Sequence, residues 1–97
     1  MLTLTDLVDF TGLSEAEILA IAEHEHIPEV AACSLAQYLS QDLEGEARIR
    51  DMIIDDIRAA QARDDRDHVR ELLHVLHHFL RTHPDVRPEQ HPWSTRF

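Results

Sequence analysis

With 97 residues, 43% of them hydrophobic and 29% charged, the chain makes one domain around a single modest core and is not a disordered polymer. Its formal net charge of −10 lies wholly in the first half, where residues 1–47 hold ten acids and no Lys or Arg; residues 48–97 balance nine acids with nine arginines. An acidic half repels phosphate backbones and anionic lipid, and no apolar run approaches the ~20 residues of a membrane span, so a nucleic-acid partner is disfavoured and a membrane excluded. The lone Cys33 forms no internal disulfide, and no basic-then-apolar leader opens the chain, which together point to a cytoplasmic protein. Lys and Asn, whose codons are A-rich, are both absent, as expected of a GC-rich bacterial genome.

Two glycines and four prolines leave little material for the turns of a sheet, and the apolar periodicity is helical. Thr3 or Thr5 caps a short first helix with Leu4, Leu7 and Val8 on one side, and Gly12 suits a left-handed end. Ser14 and Glu17 have the spacing of a capping box for a second helix over 15–25, with Ile18, Ile21 and Ala22 inward and a stop before Pro28. A third helix over 28–41 contains Val30–Gln41, twelve residues without a charge. Ala31, Ala32, Leu35, Tyr38 and Leu39, with Leu43 beyond, give it a wide apolar face beside a neutral strip of Ser34, Gln37 and Ser40. Such a helix is central to a core or faces a partner.

A turn is expected at Asp42–Gly45, then a fourth helix over 46–63 carrying Ile49, Met52, Ile53, Ile57 and Ala60. Asp64 or Asp65 caps a fifth helix over 66–82, whose Val69, Leu72, Leu73, Leu76, Phe79 and Leu80 follow heptad-like spacing. The expected fold is therefore all-α: three short helices (1–42) packed on a long antiparallel helical hairpin (46–82) in one domain over 1–83. An irregular Pro-rich tail follows over 84–97, and its Trp93 and Phe97 are candidates for docking on the body or on a neighbouring chain. Val30 and Leu35 join the isoleucines and leucines of the two long helices in the expected core.

Eight histidines are many for this length. Glu23/His26 and Glu71/His74 are Glu-x-x-His pairs, a spacing that sets both groups on one helical face and resembles the ligand pairs of di-iron carboxylate bundles. His74 and His78, four apart, could chelate one ion on a helix surface. Glu23, His26, Glu71, His74 and His78 are thus the candidate ligands for a divalent transition metal. At 100° per residue, however, Glu71, His74 and His78 lie opposite the leucine stripe and away from the core, so the plainer expectation is exposed polar faces. Asp56 falls inside the fourth helix's apolar stripe, where a carboxylate must be paired, protonated or metal-bound; the plainer expectation is a salt bridge to Arg63 or a neighbouring Arg, or a place at the stripe's edge in water.

Catalysis has little support. Cys33 sits in an uncharged helix, no Ser lies in a Gly-flanked elbow, and two glycines exclude a phosphate-cradling loop. Residues 2–25 resemble a helix-turn-helix motif, with Thr11-Gly12-Leu13 as the turn. The helix that would read DNA is SEAEILAIAEHEH, with four glutamates and no basic or amide group for phosphates or base edges. The leading expectation is a small acidic non-enzymatic interaction module, binding a protein with a basic surface through Ser34, Gln37, Tyr38, Trp93 and Phe97, with a homodimer also expected. Metal binding on Glu/His helix faces and helix-turn-helix regulation are the alternatives.

Overall fold

The structure is a computed structural model describing residues 2–87. It is all-helical over these residues: α1 (Leu4–Thr11), α2 (Glu15–Glu25), α3 (Glu29–Leu39), α4 (Leu43–Ala62), α5 (Arg66–Thr82) and a 3₁₀ turn, η1 (Pro84–Val86). No described helix is long and apolar enough to cross a membrane. Trp93 and Phe97 lie outside the described residues.

The helix ends follow from local chemistry. Thr3 caps α1 in a capping box with Asp6, and Gly12 closes the helix at φ 77°. Ser14 and Glu17 cap α2 reciprocally, as their spacing predicts. The end of α2 is set by His26, two residues before Pro28. It is left-handed at φ 57°, and its amide and that of Ile27 both donate to the Ala22 carbonyl. Asp65, rather than Asp64, caps α5 by accepting from the His68 amide at 3.2 Å, while Asp64 takes up the left-handed turn at φ 58°.

The α3–α4 connection departs from expectation. The turn is tighter and α4 begins at Leu43, with Asp42 as its N-cap accepting from the Gly45 amide at 2.7 Å. Gly45 is therefore helical. A β-carbon there would lie 1.9 Å from the Leu39 carbonyl oxygen, so the glycine serves the close crossing of α4 over the end of α3.

Helices α4 and α5 form the hairpin through the loop at 63–65, and α2 packs on both of them. α3 lies against α2 and α4, while α1 packs chiefly on α3 and not on the hairpin as expected. Phe79, Ile18, Ile21, Leu39, Ile49, Ile53, Ile57 and Leu76 are fully buried, each stabilising by about 1.5–3 kcal/mol relative to exposure. α3 approaches its neighbours through small side chains, Ala32, Cys33 and Ala36. Val30, placed in the expected core, is instead 54% exposed. Leu7, Leu35, Val69 and Leu73 are only partly buried at the core's margin.

The body also extends past residue 83. Val86 is buried, and its carbonyl accepts from the Arg50 guanidinium at 2.8 Å, which ties η1 to α4. His83 stacks on Phe79 with ring centroids 4.1 Å apart and donates through Nδ1 to the Phe79 carbonyl.

Candidate functional site

The chemistry-bearing side chains gather where α2 crosses α5. Between the two helices runs a groove of about 500 Å³. Its apolar surface comes from Ala16, Leu19, Ala20, Leu72 and Val75; its polar margin comes from Ser14, Glu23, His68, Glu71, His74 and His78. The composition follows from helical phase. α2 turns Ile18 and Ile21 into the core, leaving Ala16, Leu19 and Glu23 on the flank toward α5, where Leu19 remains 48% exposed.

At one end lies Glu17, 1% exposed. Its Oε1 accepts from the Ser14 amide at 3.0 Å as half of the capping box, and its Oε2 accepts from His78 Nδ1 at 2.6 Å. A capping glutamate thus also pins α5 onto α2. Burial of this carboxylate is tolerated because both oxygens are hydrogen-bonded.

At the other end, His68 bridges two carboxylates. Its Nε2 donates to Glu23 Oε1 and Oε2 at 2.8 and 2.9 Å, and its Nδ1 to Glu71 Oε1 at 3.1 Å. A neutral imidazole has one N–H and could satisfy only one of these partners, so the geometry is that of an imidazolium. The hydrogen bonds to Glu71 and Glu23 raise the His68 pKa above its ordinary value, against the opposing effect of burial. His24 is arranged in the same way, with Nδ1 on Glu25 at 2.8 Å and Nε2 on Asp55 at 3.3 Å. Partial burial of its ring works against protonation, but Glu25 and Asp55 together outweigh it and raise the pKa.

Asp56 lies beside this cluster, not against Arg63, which reaches Asp65 at 3.7 Å instead. The Asp56 side chain is buried, and its Oδ2 has no hydrogen-bond partner among the described residues. Burial, and then the nearby Glu23 carboxylate, push its pKa up to about 6, while His24 and His68 pull the other way.

The five candidate metal ligands do not converge. Glu23 and Glu71 meet on His68, which neither Glu-x-x-His pair contains. His26 is exposed at the end of α2, His74 is exposed on the groove's margin, and His78 is spent on Glu17. Among the described residues no group of three or more His, Cys, Asp and Glu side chains has a metal-holding arrangement. The sequence signal for His68 was the His-x-x-Glu spacing to Glu71, the reverse order of the pairs considered. Wheel phase also misplaced His78, which is part-buried against α2 and not pointed away from the body.

Elsewhere, Ser34, Gln37 and Tyr38 lie exposed on the outer face of α3 together with Val30. Cys33 is buried, and burial followed by the Glu29 charge raises its thiol pKa, as suits an inert packing residue. α2 packs against α3, α4 and α5, and its exposed side chains include Glu15, Glu23 and Glu25, an electrostatic character opposite to that of a DNA-reading helix. Comparison with protein-family models, curated proteins and solved structures finds no match to this chain.

Proposed function

We propose that this chain is a non-enzymatic protein-interaction module that receives a basic, apolar-bearing segment of a partner protein in the α2/α5 groove. The observation that carries the reading is the composition of that groove. Leu19, Leu72 and Val75 offer apolar contact in a concave site, and the carboxylates on its margin, Glu23 and Glu71, favour a cationic partner. Helix-in-groove docking uses this combination of an apolar floor for anchor side chains and flanking charge for orientation. The absence of any Lys or Arg from residues 1–47 extends the attraction along the α2 side.

Titration of the isotope-labelled protein with an amphipathic Leu/Arg helical peptide tests the reading by NMR. The amides of Ala16, Leu19, Leu72 and Val75 should shift together, and Leu19→Glu should abolish the response while leaving the fold's spectrum intact. A Leu/Glu peptide of equal hydrophobicity should leave these amides unmoved. No shift at the groove with the basic peptide would end the reading.

A second contact is favoured by the outer face of α3. Val30, Ser34, Gln37 and Tyr38 form an exposed uncharged face on a chain of net charge −10, and a second copy can approach without charge repulsion only through such a face. Sedimentation should show a dimer that Tyr38→Glu dissociates. A monomer across the accessible concentration range would remove this contact.

A further inference from the structure

The groove's acidic end holds its own cation. Glu23 from α2 and Glu71 from α5 converge on the two ring nitrogens of His68, and among the described residues no other side chain bridges them. Buried Asp56, whose Oδ2 has no partner among the described residues, adds a carboxyl group near Glu23. This is more acceptor capacity than one imidazole uses. Glu71 gives His68 only one of its oxygens and is otherwise exposed.

We propose that Glu23 and Glu71 form a seat for a guanidinium group of the partner segment, and that His68 is an internal occupant that yields the seat when it is uncharged. The assignment rests on the groove reading above and names the group the groove selects. A guanidinium is planar, carries five donors and stays charged at every physiological pH, so it can span both carboxylates as the imidazolium does. An imidazole keeps both bonds only while protonated. At pH 8 His68 is neutral in a larger fraction of molecules and holds one carboxylate at most, so an arginine displaces it readily. At pH 5.5 the imidazolium competes for both carboxylates.

The charged and titratable groups around His68 act in the same direction. Glu23 and His24 lie on α2, Asp55 and Asp56 on α4, and Glu71 on α5 itself. As pH falls, His24, His68 and Asp56 each take up a proton, and every one of those protons makes the seat less attractive to a cation.

The experiment uses two amphipathic leucine peptides, alike except that one carries a central arginine and the other citrulline, its neutral isostere. Each is titrated into the full chain at pH 8 and pH 5.5 in low salt. The arginine peptide should bind about tenfold tighter than its twin at pH 8, and the preference should shrink to about threefold or less at pH 5.5. Glu23→Gln combined with Glu71→Gln should erase the preference at both pH values. His68→Gln should retain it and flatten most of its pH dependence, leaving only the smaller part that His24 and Asp56 contribute. The ring resonances of His68 should shift when the arginine peptide binds at pH 8 and stay in place with citrulline.

Equal binding of the two peptides at pH 8 overturns the guanidinium seat and leaves the groove reading standing. A preference unchanged between the two pH values in the unmodified protein overturns the role of His68. Failure of both peptides to bind at pH 8 overturns the groove reading and this inference with it.

Discussion

Asp56 and His68 give the molecule a pH dependence whose sign can be worked out. The Asp56 pKa is about 6 against an ordinary value of 3.8. Between those values the unfolded chain has lost the proton that the folded chain keeps, so stability falls as pH rises through that window and the full cost is present above it. Asn at this position carries no charge to desolvate. Asp56→Asn should therefore stabilise the fold by about 1–2 kcal/mol at pH 8 and have little effect near pH 4, read from urea midpoints at each pH. His68 adds to the same trend. Its raised pKa means that its ion pairs stabilise fully below about 6.5 and lose that contribution as pH rises through the higher folded value. His68→Gln should cost about 0.5–1 kcal/mol at pH 6 and less at pH 9. A wild-type Tm equal at pH 6 and pH 8 would contradict the His68 assignment, and equal urea midpoints for Asp56→Asn and the unmodified chain at pH 8 would contradict that of Asp56.

At the scale of elements, two local devices decide how the helices sit. Gly45 lets α4 start immediately above the end of α3. Gly45→Ala would gain about 1 kcal/mol of helix propensity in an open helix, but here its β-carbon meets the Leu39 backbone, 1.9 Å from the carbonyl oxygen. The net effect should be destabilising by about 1–3 kcal/mol in a denaturant titration, with α3 and α4 displaced from each other. The Ser14–Glu17 capping box is the other device. Ser14→Ala removes the acceptor for the Glu17 amide and should cost about 1 kcal/mol. Because Glu17 also holds His78, loosening the cap should shift α5 resonances at His78 and neighbouring Val75, which a purely local cap would not reach.

For the whole molecule the governing quantity is charge. The formal net charge of −10 assumes neutral histidines; protonating all eight would bring it toward −2. Electrophoretic mobility toward the anode should fall steeply between pH 7.5 and pH 5.5. Replacing His24 and His68 by Gln should reduce the part of that change nearest neutral pH, because those two rings take up protons first among the shifted groups. A flat mobility profile would mean that the imidazoles do not titrate in this range. The same charge makes salt a diagnostic of partner binding: raising it should slow association with a basic segment more than it speeds dissociation.

The sequence by itself determined the all-helical class, the spans of α2 and α5, and most of the buried isoleucines and leucines, because 3.6-residue periodicity and end-capping chemistry act over a few neighbouring residues. It left α4 starting three residues late, because a glycine reads as a turn until its crossing neighbour is known. It put Val30 inside, because an uncharged helix does not reveal which of its faces the core takes. The groove was legible only in fragments. Glu23 and Glu71 stood out, but for their spacing to His26 and His74, and Asp56 for its place in an apolar stripe. That both glutamates turn to His68, that Glu17 reaches His78, and that Asp56 lies near Glu23 and not beside Arg63 depend on α2, α4 and α5 crossing at one place. Contacts between residues dozens of positions apart are set by packing angles among helices, and no local pattern in the chain encodes those angles.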